Sequence, residues 1–170
     1  RGGVRINMAF TSFQNFCEAA HLAQQGGFVA VRGRWLAAQA TGGTETLPEF
    51  LLRESGQAEE TYLDRVAEAF DWSRVDLSDV RPTNESLRRI PSKVANQYKV
   101  IPVKVEEGVV EVAVSNPFET GLLGAVRFAA QGPVRFVLAT REEIERAYEK
   151  FYGVGAETID ELAENQAEDE

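Results

Sequence analysis

The chain has 170 residues, 44% hydrophobic and 26% charged, which suits one ordinary domain or two small ones and excludes a disordered or fibrous chain. No run approaches the ~20 apolar residues of a membrane span, the opening Arg1-Gly2-Gly3-Val4-Arg5 lacks the apolar core of a signal peptide, and a single cysteine, Cys17, excludes an internal disulfide and a cysteine-based zinc site, so a cytoplasmic protein is expected. The net charge of −9 is unevenly placed: seven of the 27 acids and none of the 18 bases lie in 154–170, leaving a body at −2 whose near neutrality disfavours nucleic acid.

In chain order, residues 1–10 read as a disordered leader. A helix is predicted over Thr11–Gln25, where Phe13, Phe16, Cys17 and Ala20 recur at steps of three and four and Gly26-Gly27 stops the pattern. The apolar run Phe28–Val31 precedes a helical stretch, Arg34–Gln39, and Thr41-Gly42-Gly43-Thr44 is a loop. Leu47-Pro48 opens the next helix, since a proline in the first turn gives up no helical hydrogen bond, and Gly56 closes it. Ala58–Phe70 is amphipathic, with Tyr62, Leu63, Val66 and Phe70 on one face.

Beyond Trp72 the period changes. Val75 and Leu77 alternate with polar neighbours and predict a short strand. A helix from Asn84 or Ser86 through Ile90 is interrupted by Pro91 and resumes over Ser92–Tyr98. Val100–Val105 and Val109–Val114 make a hairpin around Glu106-Glu107-Gly108, with Pro102 marking an edge or irregular pairing. Glu119–Gln131 is predicted as a helix and Pro133–Leu138 as a strand. Thr140 with Glu143 forms a capping box before a last helix carrying Ile144, Ala147, Tyr148 and Phe151. The class is therefore α+β: a helical subdomain over 11–72, a compact β-α-β-β-α-β-α domain over 73–153, and an acidic linker over 154–170.

Chemistry-bearing motifs are sparse. There is no Gly-x-x-x-x-Gly-Lys-Ser/Thr phosphate loop, no Gly-x-Gly-x-x-Gly and no Gly-x-Ser-x-Gly. Cys17 and His21 stand four apart and on one helical face, the spacing of a nucleophile and its base. Their Ala- and Phe-rich surroundings and the lack of a third group favour a packing role instead. Trp35 and Trp72 read as packing anchors rather than stacking platforms. One charge anomaly remains: Arg81–Lys104 holds six bases against Glu85 alone. Either it is a solvated basic face, or Arg88, Arg89 and Lys93 form a docking surface for an acidic partner.

From Leu63 onward the chain resembles the N-terminal domain of the type II secretion and type IV pilus assembly ATPases. The resemblance is carried by Leu63-Asp64-Arg65-Val66-Ala67-Glu68-Ala69-Phe70, Val75-Asp76-Leu77, Ile90-Pro91-Ser92-Lys93-Val94-Ala95 and Val100-Ile101-Pro102-Val103. Val112-Ala113-Val114-Ser115-Asn116-Pro117-Phe118-Glu119, Val137–Ile144 and a closing Phe151-Tyr152-Gly153 complete the order. It implies a parent that is a hexameric, Mg-dependent ATPase whose motor follows 154–170. It implies no cofactor and no catalysis in this chain, with ATP and Mg belonging to the motor, and a monomeric fragment. It also implies docking to the cytoplasmic domain of an inner-membrane assembly protein, which holds the ATPase at the membrane without insertion. The alternative it implies is cyclic di-GMP binding through Arg-Leu-Gly…Gln segments. The comparable stretch here, Leu47–Gly56, has Thr46-Leu47-Pro48 where the Arg-Leu-Gly would stand and Ala69-Phe70 near the Gln. Losing the arginine removes a bidentate phosphate contact.

Overall fold

The computed structural model describes residues 13–23 and 26–153, and the expectations for the leader 1–10 and the linker 154–170 lie outside those residues. The chain divides into two units, Arg1–Trp72 and Ser73–Glu170.

The first unit holds α1 (Phe13–Ala19), α2 (Gly27–Ala40), α3 (Leu47–Ser55) and α4 (Glu59–Phe70). Its interior is built from Phe16, Cys17, Phe28, Val31, Leu51, Tyr62, Leu63 and Val66. The Phe16 and Tyr62 rings meet edge to face at 5.9 Å, the arrangement that the ring quadrupole favours. α1 ends six residues before the predicted Gln25. His21 adopts φ 54°, and the Leu22 N–H turns back to the Cys17 carbonyl at 3.0 Å. The Arg65 guanidinium then takes the Ala20 carbonyl at 3.0 Å. Conversely, Phe28–Val31 is the first part of α2 rather than a separate run, because Phe28, Val31 and Trp35 continue on one helical face across Gly33. α3 has a reciprocal cap that sequence reading passed over. Thr46 N–H donates to Glu49 Oε2 at 2.8 Å, and Glu49 N–H donates to Thr46 Oγ1 at 3.4 Å.

The second unit wraps α5 (Asn84–Arg89), α6 (Ser92–Tyr98), α7 (Leu122–Ala130) and α8 (Arg141–Phe151) around β1 (Val100–Glu106), β2 (Val109–Val114) and β3 (Val134–Leu138). The sheet order is β1-β2-β3, antiparallel between β1 and β2 and parallel between β2 and β3. β2 is central, and Val110, Val112, Ala113 and Val114 are fully buried, as a strand covered on both faces should be. Pro102 lies on the edge strand at the register shift between Pro102 and Lys104. A residue without an N–H is tolerated there because a bulge and an edge each waive a ladder bond. With Ile90, Leu122, Val126, Leu138 and Ile144 these strands form the core. Each such side chain contributes about 1.5–3 kcal/mol of burial.

Three predictions for this unit need correction. The strand at Val75 and Leu77 is reduced to a parallel bridge between Arg74 and Leu138. The Asp76 carboxylate accepts from Ser78 N–H at 2.9 Å and turns the chain into a 3₁₀ turn, Leu77–Asp79. α7 begins at Leu122 and not at Glu119, because Asn116 Oδ1 accepts from Phe118 N–H to make a turn and Gly121 takes φ 83° before the helix starts. At α8, Thr140 Oγ1 accepts from Glu143 N–H at 3.1 Å, yet the Glu143 carboxylate does not close the box. Its Oε1 accepts from the Thr140 hydroxyl at 3.0 Å rather than from the Thr140 N–H, and its Oε2 accepts from Leu77 N–H at 3.0 Å, fastening the 3₁₀ turn to α8.

Candidate functional site

Thr83 and Pro91 set the geometry of the basic segment. Thr83 Oγ1 caps α5 by accepting from Ser86 N–H at 3.2 Å, while the Ser86 hydroxyl returns a bond to the Thr83 carbonyl at 2.8 Å. Both hydrogen bonds let Ser86 be buried without cost. Ile90 is extended (φ −120°, ψ 99°), as a residue before proline tends to be, and Pro91 starts α6. At this junction the Ile90 side chain is buried, and its carbonyl accepts from the buried Tyr152 hydroxyl at 2.6 Å. Of the apolar residues Leu87, Ile90 and Val94, spaced to face the core, only Ile90 is fully buried. Leu87 and Val94 are half-buried, and Ser86, Ser92 and Ala95 take the inner places, where small side chains let these short helices approach the sheet.

The three predicted site residues part company. Arg88 and Lys93 are exposed. Arg89 is half-buried and spent on the fold: its Nε donates to the Ala130 carbonyl at 2.6 Å, and Nη1 approaches the Gly108 carbonyl at 3.5 Å. A cation on the last carbonyls of α7 also suits the negative end of that helix. Consecutive residues on a helix are separated by about 100°, which lets Arg89 reach back to the fold while Arg88 stays at the surface.

The remaining cations of the second unit sharpen the contrast. Lys104 pairs with Glu106 at 3.2 Å, Arg135 approaches Glu111 at 3.9 Å, and Arg141 and Arg146 pair with Glu145 and Glu142 along α8. Arg127 lies over the Phe136 ring, Lys150 over Phe151, and Lys99 donates to Asn96. Arg81, Arg88 and Lys93 are exposed and meet no acid among the described residues.

In the first unit the Cys17–His21 pair is not assembled. Cys17 is fully buried, with burial first and the neighbouring Glu18 second pushing its thiol up to about 12, while His21 lies exposed beyond the end of α1. That is the reverse of an activated thiolate. Trp35 is a half-buried anchor whose Nε1 donates to the Glu45 carbonyl at 2.8 Å, and Trp72 packs on Phe70 at 4.7 Å. An open depression of about 440 Å³ lies between the Thr41–Gly43 loop, Phe50 and Arg53. Its guanidinium is already held: Arg53 donates twice to Glu45 at 2.9 and 3.0 Å and stacks on Phe50. Among the described residues no cluster of three His, Cys, Asp or Glu side chains could hold a metal, and no helix is long and apolar enough to cross a membrane.

Comparison with known proteins adds the family. The MshEN domain family matches residues 70–158. The chain belongs to this family. Its fold is similar to that of a structure of MshE with cdg, at 16% identity and TM-score 0.64, over 84% of this chain and 99% of that one. It is also similar to the N-terminal domain of XpsE in two structures. One is 23% identical with TM-score 0.56 over 66% and 79% of the two chains. The other is 21% identical with TM-score 0.53 over 84% and 98%. No curated protein matches the chain in sequence. The resemblance to the N-terminal domains of type II secretion and type IV pilus ATPases is thereby borne out, as is the α+β class.

Proposed function

We propose that this MshEN domain is a non-catalytic docking and regulatory module of a type II secretion or type IV pilus assembly ATPase. It tethers the hexameric motor to the cytoplasmic domain of an inner-membrane assembly protein. In this reading ATP and Mg belong to the motor, and the protein is cytoplasmic and peripheral to the membrane through its partner. The observation that supports the docking surface is the set Arg81, Arg88 and Lys93, exposed and meeting no acid among the described residues, in a unit whose other described cations are engaged. Exposed charges of one sign steer an oppositely charged surface and fix its register, each contact contributing about 1 kcal/mol or less. The rival surface is the helical block around Leu51, Tyr62 and Phe70, where Leu51 and Tyr62 are only 1% and 2% exposed and Phe70 is half-buried against Trp72. The test is a pull-down of the partner's cytoplasmic domain with Arg88→Glu/Lys93→Glu. Binding at low salt is expected to fall, and unchanged binding by a variant with a native circular dichroism spectrum removes this face.

A second reading, cyclic di-GMP binding by the helical unit, is favoured by the likeness to MshE, whose structure holds cdg. The absent Arg-Leu-Gly and the engagement of Arg53 by Glu45 weigh against it.

A further inference from the structure

α2 is apolar on both sides. Phe28, Val31 and Trp35 turn toward the interior of the first unit. On the other side Val29, Gly33, Leu36, Ala37 and Ala40 are all exposed, Val29 by 73% and Leu36 by 45%. At about 100° per residue these side chains fall within an arc of about 100°, as wide as the stripe that a helix turns to a core. Gly33, at the centre of the stripe, is not called for by the fold of this chain: it lies within the helix, its φ is not positive, and a Cβ added there would meet nothing within 4 Å. Glycine in a helix interior is costly relative to alanine, and what it allows is the close approach of another backbone. The charges of α2 bear on what approaches. The helix holds two arginines and no acid. Arg34 is closed on Glu54, whereas Arg32, at the edge of the stripe, is exposed and meets no acid among the described residues.

We infer that this stripe is a docking surface for a helix of another protein, one that lays an apolar face over Gly33 and sets a carboxylate against Arg32. Val29 and Leu36 supply the apolar contact, Gly33, Ala37 and Ala40 let the two backbones come close, and Arg32 fixes the register. A second copy of this chain fits less well. α2 offers no acid to either Arg32, and an antiparallel pairing about Gly33 would bring the two arginines together. An anionic lipid surface also fits less well, since the aromatic rings of α2, Phe28 and Trp35, turn inward and leave the stripe without an interfacial anchor. The surface belongs to the first unit and does not rest on the Arg88–Lys93 face, so either can fail alone.

The experiment titrates the full chain with a synthetic helix bearing a Leu-Ala stripe edged by glutamates, and with a twin carrying lysines in their place, and follows backbone amide signals in a heteronuclear spectrum. The glutamate helix is expected to shift the amides of Val29–Ala40 and to bind about tenfold more tightly than the lysine twin, a preference that Arg32→Glu should reverse. Gly33→Gln should weaken binding about tenfold while raising the thermal midpoint of the free chain, a pair of effects that a glycine needed by the fold would not give. Absence of shifts with the glutamate helix overturns the inference. So do equal binding of the twins, undiminished binding by Gly33→Gln, and a lowered midpoint of that variant. Stripe amides that shift with protein concentration alone, or with phosphatidylglycerol vesicles and not with the peptide, assign the surface to a second copy or to lipid and overturn the inference as well.

Discussion

Two tyrosines carry hydroxyls into the two cores with opposite consequences. Tyr62 is 2% exposed, and its hydroxyl has no hydrogen-bond partner among the described residues, while burial raises its pKa. A buried hydroxyl that gives up water and gains nothing costs about 1–3 kcal/mol, offset here by the ring's packing against Phe16. Tyr152 is 6% exposed but donates to the Ile90 carbonyl. Urea unfolding should therefore separate the same substitution at the two sites. Tyr62→Phe is expected to leave stability unchanged or to raise it by up to about 1 kcal/mol. Tyr152→Phe should lower it by about 1–2 kcal/mol, because it strands a buried acceptor. A loss at Tyr62 as large as that at Tyr152 would mean that its hydroxyl has a partner.

At the level of elements, the hairpin between β1 and β2 has a two-residue turn with both positions at positive φ, Glu107 at 52° and Gly108 at 80°. This is the type I′ form, whose twist matches that of paired strands. Glycine meets the requirement at its position freely, whereas glutamate carries the strain of a left-handed backbone. Glu107→Asn is expected to stabilise the chain by about 0.5–1 kcal/mol, since asparagine tolerates this conformation. Thermal unfolding checks it, and a lowered midpoint would contradict the turn assignment. The hairpin was legible because Gly108 interrupts two valine-rich runs, and Pro102 announced an irregular edge. Boundaries were less legible where a side chain decided them. Asp76 bonds to Ser78 and converts an alternating pattern into a 3₁₀ turn, and Glu143 divides its carboxylate between the Thr140 hydroxyl and the Leu77 amide. Periodicity records which residues are apolar, not which polar group wins a backbone donor.

For the whole molecule, the family was legible from an ordered set of words although none of them builds an active site. Asn116-Pro117, Ile90-Pro91 and the closing Tyr152-Gly153 all serve the fold: a turn, a helix break and an anchor. The candidate site was legible as charge, but not in its division of labour, since Arg89 is told from Arg88 only by the Ala130 carbonyl that it reaches. The same limit applies to the messenger reading, where likeness of fold to MshE does not supply ligand contacts. A cyclic dinucleotide offers two phosphates, best matched by arginine forks. In the helical unit the Arg53 fork is closed on Glu45 and the Arg34 fork on Glu54 at 2.8–3.2 Å, with both glutamates pushed below their ordinary pKa by those hydrogen bonds. Recruiting either fork would have to break an existing carboxylate pair before making a phosphate one, exchanging one charge-assisted contact for another with little net gain. Calorimetry of the chain with cyclic di-GMP should accordingly show no binding tighter than about 1 µM, equivalent to about −8.2 kcal/mol. A sub-micromolar dissociation constant that Arg53→Ala abolishes would show that these forks open for the ligand and would turn the proposal from docking to sensing.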